Sequence, residues 1–453
     1  MDALAELVDQ LPEGVVVTDP VRTEKYRWDR SQDPGAGTPL AVVRAEDAGQ
    51  VQSAVRWAAR HDVPVVPRGA GTGLSGGASA VDGGIVLSLE RMTAIEVDPV
   101  AQVAVVEPGA LNAAVKVAAA EHGLWYPPDP SSYEICSIGG NVATNAGGLC
   151  CVKYGVTTDY VLGLDVVLAD GTLVTLGGTR IKDVAGLSLL KLFVGSEGTL
   201  GVVTRAVMRL VPAQVTGATL VAAFPTMPAA AEAVVAIRRS LRPSMLELMD
   251  QPSIRAVEAY RAMGLDTSAG ALLVAQSDAP GTACTAEVEA MRAACEAAGA
   301  ADVFVTDDAE EGELFVRARR MVIPAVEELG ELMLEDVGVP VPRLPELVAA
   351  VAAISERHEL LIPVVAHAGD GNTHPLVVVP RGDDAAKVRA LEAFEEIMRV
   401  AISLDGTITG EHGVGRTKKS ALPEQLGDDV MALTRRVKDA LDPAGILNPG
   451  AVL

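Results

Sequence analysis

The stretch that most constrains this chain is residues 67–78, PRGAGTGLSGGA, set between two apolar strand-like runs, VPVV at 63–66 and GIVLSL at 84–89. Five of its twelve residues are glycine and none is acidic, so its main-chain N–H groups can close on an anion with no side chain in the way. It reads as a phosphate cradle. Three glycine loops compete for that role. A P-loop requires G-x-x-x-x-G-K-[ST], and no lysine occurs in the stretch, which disfavours an NTPase. The dinucleotide fingerprint matches at Gly71-Thr72-Gly73-Leu74-Ser75-Gly76, but that loop should open a helix, whereas GGASAVDGG leads into another strand. A flexible glycine loop without a ligand is the third reading.

With 453 residues the chain exceeds one ordinary core, and two domains are expected. Hydrophobic residues make up 49% and charged ones 21%, the balance of a globular protein with large interiors. A net charge of -23 argues against nucleic acid and anionic membrane surfaces as partners, yet leaves room for a basic pocket that takes an acidic substrate. The opening MDALAELVDQLPEG has neither a basic n-region nor a continuous apolar run. Nothing there marks export, and a cytoplasmic protein is expected. The longest uncharged run, residues 210–231, is broken by Pro212, Gly217, Pro225 and Pro228 and makes a poor membrane helix. Five cysteines without a C-x-x-C pair speak against a disulfide framework, a zinc ribbon and a chain-encoded iron–sulfur cluster. The vicinal Cys150 and Cys151 read as reduced thiols.

Residues 45–62 place Val51, Val55 and Ala58 or Ala59 at helical spacing behind a capping Asp47. Residues 101–110 read as a strand ending in a turn, and 111–123 as a helix closed by Gly123. This is α+β alternation with too many hairpin-like strands for a doubly wound parallel sheet. A second glycine-rich block, residues 127–171, supplies Gly139, Gly140, Gly147 and Gly148 around Asn141 and Asn145, a composition that suits no core helix or strand. It runs on into the strand LGLDVVLADG with a turn at Asp170-Gly171. A third block, residues 192–212, sets Gly195, Ser196, Glu197, Gly198 and Gly201 before a valine-rich strand. Three separated backbone-rich loops suggest a long ligand gripped along its length.

PRGAGTGLSGG, SIGGNVATNAGG, YGVTTDYVLGLDVVLADG and GSEGTLGVVT resemble the FAD-binding domain of the vanillyl-alcohol oxidase/p-cresol methylhydroxylase flavoproteins. HAGDGNTHPLVV, GEHGVGRTKK and LDPAGILNPG resemble the branch with the glycolate oxidase flavin subunit, D-lactate dehydrogenase and D-2-hydroxyglutarate dehydrogenase. The resemblance runs from about residue 39 to the C-terminus. It implies an α+β fold: a helical segment at 1–38, a two-subdomain FAD-binding domain at 39–212, and an α+β, ferredoxin-like cap at 213–453 whose residues 410–453 return to the flavin. By the same resemblance Arg68, Gly69, Ala70, Gly71, Thr72, Gly73, Ser75 and Gly76 hold the FAD pyrophosphate. Pro130, Ser131, Ser132, Gly139, Gly140, Asn141, Thr144, Asn145, Gly147 and Gly148 follow the cofactor toward its ring. Glu197, Gly198 and Gly201 meet the adenosine half or the ribityl chain, and Asn448 joins them from the closing motif. Some relatives tether the flavin through a histidine in the first loop, and residues 67–78 contain none, so a non-covalent FAD is expected.

After Pro212, helical stretches at 227–241 and 285–300 alternate with strands such as 271–278, the pattern of a separate α+β domain. By analogy it caps the flavin, with the active site where the domains meet. Three of the six histidines, His367, His374 and His412, fall in residues 364–379 and 410–416. His367 and His374 are an odd number of residues apart and would face opposite ways on one straight strand. A turn through Gly369-Asp370-Gly371-Asn372 could bring both imidazoles to one side. Glu411 would then complete a two-His-one-carboxylate set suited to Zn²⁺, Mn²⁺ or Fe²⁺. The bland readings are hydrogen-bonded structural histidines and Asp370 as a turn former.

The mechanism that follows has His412 accept the substrate hydroxyl proton, the metal lower that hydroxyl's pKa, and the α-hydrogen leave as hydride to the flavin, with Asn372 orienting the hydroxyl or the metal ligands. A substrate carboxylate needs a cation. LFVRARRMVIPA resembles the family's Leu-Trp-x-x-Arg segment, with Val316 where tryptophan is usual, and alignment on Pro324 puts Arg319 at the carboxylate position. Arg317 and Arg320 remain alternatives, Arg343 is a second candidate, and a solvated basic helix face is the bland reading. Three functions are carried: a flavin dehydrogenase of small D-2-hydroxy acids; a flavin subunit passing electrons to a separate iron–sulfur polypeptide; and a metal-dependent hydrolase built on His367, His374 and Glu411. Expected partners are the hydroxy acid, an electron-acceptor protein that would supply any membrane association, and further copies of the chain.

Overall fold

The computed structural model describes residues 3–214 and 217–453; Val215 and Thr216, within the long uncharged run, lie outside them. The chain forms two compact units, residues 1–147, 156–213 and 411–453 in one, 148–155 and 214–410 in the other.

The first unit holds a four-stranded sheet, a five-stranded sheet and a two-stranded ribbon that pairs Leu124–Trp125 with Val211–Pro212. In the four-stranded sheet, strands Ala41–Arg44, Ile85–Ser88 and Val65–Arg68 run parallel, with Ile85 beside both Ala41 and Val65, and Val16–Val17 adds an antiparallel edge. Their runs of valine and isoleucine are buried because helix Ala48–His61 packs on them through Val51, Ala54, Val55, Trp57 and Ala58. Asp47 caps that helix by accepting from Gln50 N, and Asp62 closes it in a left-handed conformation. The larger sheet is antiparallel, in the order Ile95–Asp98, Val103–Val106, Val202–Arg209, Val161–Val167, Leu173–Gly177. The C-terminal stretch folds into this unit, where Leu447 bridges to Val65 in parallel.

The glycine block at 127–171 departs from its sequence reading. Residues Ile138–Thr144, which include Gly139, Gly140 and Asn141, form a helix. Gly139 is there for room rather than flexibility, because a Cβ on it would stand 2.5 Å from Pro108 Cβ and 2.9 Å from its carbonyl. Ser137 caps the helix by accepting from Gly140 N, which offsets the poor propensity of its first turn.

The second unit is built on one antiparallel sheet in the order Asp302–Thr306, Ala218–Phe224, Ala271–Ser277, Met245–Asp250, Val364–His367, Asn372–Val379, Glu331–Leu334, with Val337–Gly338 also paired to Asn372–Val379. Its first four strands in chain order lie fourth, first, third, second, the ferredoxin-like arrangement. Helices Met227–Arg238, Gln251–Tyr260 and Thr282–Ala297 connect them. All eight residues of Asn372–Val379 are buried, as expected for a strand paired on both sides. Among the described residues no helix is long and apolar enough to cross a membrane.

Candidate active site

In the first unit, the loop that leaves strand Val65–Arg68 borders a cleft of about 880 Å³, open mouth included. Arg68, Gly69, Ala70, Gly71, Thr72, Gly73 and Ser75 line it, with Gly139, Gly140, Thr144, Glu197, Gly198 and Gly201. Main chain makes most of this wall. Gly71 lies at φ +75°, where residues with a Cβ are strained, and a Cβ on Gly69 would stand 2.3 Å from Ser137 Oγ. That hydroxyl accepts from Ala70 N at 3.1 Å and Gly140 N at 3.4 Å, so one side chain ties the loop to the start of helix Ile138–Thr144. A cleft walled by glycine backbone, with main-chain N–H groups along it, suits a cofactor with an anionic pyrophosphate.

Other residues expected at the cofactor stand back from the wall and hold it in shape. Pro130 and Ser132 carbonyls accept within a tight turn that includes Ser131. Asn141 Oδ1 accepts from Asn112 Nδ2. Asn145 sits at φ +53° and accepts from Thr158 N. Gly76 makes a left-handed corner at φ +78°, Gly147 ends the first stretch of this unit, and Gly148 opens the segment that belongs to the second. Asn448 Nδ2 donates to the Gly77 and Glu197 carbonyls at 2.8 and 2.7 Å, clamping two cradle loops together.

The segment carrying Glu411 and His412 is fastened to the same cradle. Glu197 Oε1 accepts from Val414 N and Oε2 from Gly415 N, both at 2.8 Å. Burial pushes the Glu197 carboxyl up to about 7, against those two amides, which lower it. Ser75 Oγ donates to the His412 carbonyl at 3.2 Å, and the Ser75 carbonyl accepts from Arg416 N at 2.8 Å.

In the second unit, strand register gathers the chemistry. The Val364–His367 and Asn372–Val379 strands form a hairpin that pairs His367 with Asn372 and Val365 with His374. His374 therefore lies diagonal to His367 on one face of the sheet, with ring centroids 5.1 Å apart and planes at 86°. Asp370 makes the turn, its Oδ1 accepting from Asn372 N, and Gly371 takes φ +87°. The neighbouring strands add a carboxylate beside each imidazole. One step beyond the Leu248–Ala366 pair comes Glu247, whose two oxygens lie 2.9 and 3.0 Å from His367 Nδ1. Midway between the pairs Leu334–Leu376 and Val337–Thr373 comes Asp336, 3.7 Å from His374 Nδ1.

Glu247 also meets Arg319 Nε at 3.0 Å, and both side chains are nearly fully buried. Arg319 reaches it from helix Ala309–Arg320, on which Arg317 is exposed. Arg343 is exposed as well and pairs with Glu346. Asn372 is buried with no protein partner for its Oδ1 among the described residues. A Cβ on Gly410 would stand 2.2 Å from that oxygen, and Gly410 N donates to Asp336 Oδ2 at 2.9 Å. The next residue in the chain is Glu411. A carboxylate hydrogen-bonded to the Nδ1 of an imidazole is the usual support of a metal-ligating histidine; Glu247 stands so to His367, whereas Asp336, at 3.7 Å from His374 Nδ1, is beyond hydrogen-bond distance.

Sequence reasoning missed Glu247 and Asp336. Their only signal was a charge amid apolar strand residues, in SMLELMD and LMLEDVGV.

Residues 39–177 match the family model described as FAD binding domain, and 214–452 match FAD linked oxidases, C-terminal domain. The glycolate oxidase subunit GlcD of Bacillus subtilis is 41% identical over 91% of this chain and 88% of its own. The D-lactate dehydrogenase of Archaeoglobus fulgidus is 36% identical over 98% and 99%. Among solved structures, p-cresol methylhydroxylase with substrate bound gives a TM-score of 0.83 at 17% identity, over 99% of this chain and 96% of that one. A 4-ethylphenol oxidase from Gulosibacter chungangensis gives 0.81 at 20%, over 100% and 96%. These likenesses show the fold, the mixed α+β p-cresol methylhydroxylase type, and leave the hydrolase reading without support. The chain belongs to the FAD-linked oxidases, and it is an FAD-dependent oxidoreductase.

Proposed function

We propose that this chain oxidises a small D-2-hydroxy acid, of the size of glycolate or D-lactate, to the 2-oxo acid. The observation that carries the reading is the buried His367–His374 pair on one sheet face with a carboxylate beside each ring. The names of the relatives, glycolate oxidase and D-lactate dehydrogenase, support the substrate class. Bound FAD, held without a covalent tether, supplies a two-electron acceptor for the α-hydrogen. His412 takes the hydroxyl proton, and Asn372 Oδ1 orients the hydroxyl. Arg319, its fork oriented by Glu247, receives the substrate carboxylate. His367, His374 and Glu411 hold a divalent cation of the zinc, manganese or iron class, which when bound makes the hydroxyl more acidic.

The test is anaerobic mixing of the yellow protein with glycolate, both enantiomers of lactate and 2-hydroxyglutarate, and longer acids, following flavin bleaching. A D-acid should bleach it and its L-enantiomer should not. A flavin that dithionite bleaches but no hydroxy acid does would end the assignment. A second reading, a flavin subunit that hands electrons to an iron–sulfur partner, is favoured by the word subunit in the name of the Bacillus relative. The five cysteines include no C-x-x-C pair, so on this reading the cluster is carried by another polypeptide. Reduction of a soluble dye by the isolated chain, without rapid oxygen uptake, would support it.

A further inference from the structure

We propose that Glu197 is a positioning residue for His412, its carboxylate fixing the histidine-bearing loop to the cofactor cradle. The inference rests on the reading of His412 as the base. Sequence reasoning put Glu197 on the cofactor, in the glycine-rich GSEG stretch. Glu197 lines the cleft, and its carboxylate takes two main-chain bonds, from Val414 N and Gly415 N at 2.8 Å each, two and three residues past His412. The fit to the loop is close on both sides. A Cβ on Gly413 would stand 2.9 Å from the Glu197 carboxyl carbon, and one on Gly415, at φ +50°, 2.0 Å from the Ser75 carbonyl. GVG is the sequence this anchorage requires.

The rest of Glu197 is fastened with equal care. It sits at φ +51°, its N–H donates to the Ala143 carbonyl at 2.8 Å, and its carbonyl accepts from Asn448. Through these bonds one residue connects helix Ile138–Thr144, the closing motif and the His412 loop. Ser75, on the first cradle loop, grips the same segment at His412 O and Arg416 N. Closing the cradle and placing His412 are thus one structural event. A carboxylate suits the task better than an amide, because both its oxygens accept and a glutamine would point N–H₂ at one of the two N–H donors.

The experiment uses the holoenzyme with Glu197→Gln and Glu197→Asp. Positioning predicts full flavin content, unchanged KM, and anaerobic flavin reduction slowed by about 10²-fold, the scale of a misplacement of about 1 Å. In protein labelled at histidine ring carbon, the His412 resonance, assigned by its loss in His412→Ala, should shift or broaden in both variants. The resonances of His122 and His358 should not move. A His412 signal identical to wild type, with reduction within twofold of it, would overturn the proposal, as would weakened flavin binding as the only defect. If His412→Ala itself reduces flavin normally while the Glu197 variants disturb the resonance, the anchorage stands and the base assignment falls.

Discussion

Glu247→Ala is the sharpest test of how the second unit is held together. The glutamate is 1% exposed and faces two buried partners, Arg319 through Nε and His367 through Nδ1. Removing one partner of a buried ion pair destabilises by about 3–5 kcal/mol, and the His367 ring loses its acceptor in the same step, so about 4 kcal/mol is expected. For a unit of roughly 200 residues, each kcal/mol lowers the melting temperature by about 2–4 °C, so the transition should fall by about 10 °C. Trp28, Trp57 and Trp125, the only tryptophans, all lie in the first unit, so their fluorescence would miss this event. Scanning calorimetry reads it. The companion is Glu247→Ala with Arg319→Met, which removes the stranded charge and should recover part of the loss, because neighbours in one network are not additive. A drop below about 2 °C, or strictly additive effects, would refute the reasoning.

His412→Ala should retain flavin yet lose anaerobic reduction by at least about 10²-fold; unchanged reduction removes the residue as base. Chelation should depress turnover, and a divalent cation should restore it. Full activity in metal-free protein would end the role given to His367, His374 and Glu411. Asp250, whose oxygens accept from Ser253 N and Val364 N, is pushed by burial from 3.8 up to about 6. A carboxyl raised on folding binds more protons folded than unfolded, so its contribution is full below pH 4 and lost as pH rises to 6, about 3 kcal/mol in all. Melting curves of Asp250→Asn should lack that part of the pH slope, and a curve parallel to wild type would contradict it. Gly410→Ala should push the Asn372 amide aside and lower kcat/KM by about 10²-fold with flavin retained. The loss should vanish in an Asn372→Ala background, and its persistence there would show that the methyl acts elsewhere.

Much of the first unit was legible because its signals are local. Asp47 and Asp62 bound the Ala48–His61 helix where apolar spacing begins and ends. The glycine run at 67–78 announced a cradle because few structures need so much unobstructed backbone. What stayed hidden depends on residues far apart in the chain. Gly139 and Gly140 looked like loop formers, yet both lie in a helix, and Pro108, 31 residues before Gly139, is the reason that position must lack a side chain. Asn448 and Glu197 stand in glycine-rich motifs that gave no sign of their long-range bonds: Glu197, which lines the cleft, accepts from Val414 N and Gly415 N, and Asn448 Nδ2 donates to the Gly77 and Glu197 carbonyls.

The histidine pair shows how a long-range arrangement follows from a short-range count. The register sets His367 opposite Asn372, so residues of opposite parity share a face across the hairpin. An odd spacing, which on one strand would separate the two rings, is the spacing that unites them here. The same parity brings Glu247, from the strand Met245–Asp250, beside His367, and Asp336, between Glu331–Leu334 and Val337–Gly338, beside His374. One inserted residue in the turn 368–371 would slip the pairing and send His374 to the opposite face, away from Asp336. The turn has little slack for such a change, since Gly371 N bonds to the His367 carbonyl and a Cβ on Gly371 would stand 2.0 Å from the Val339 carbonyl. The length of that turn, as much as the identity of the histidines, decides whether the cluster exists.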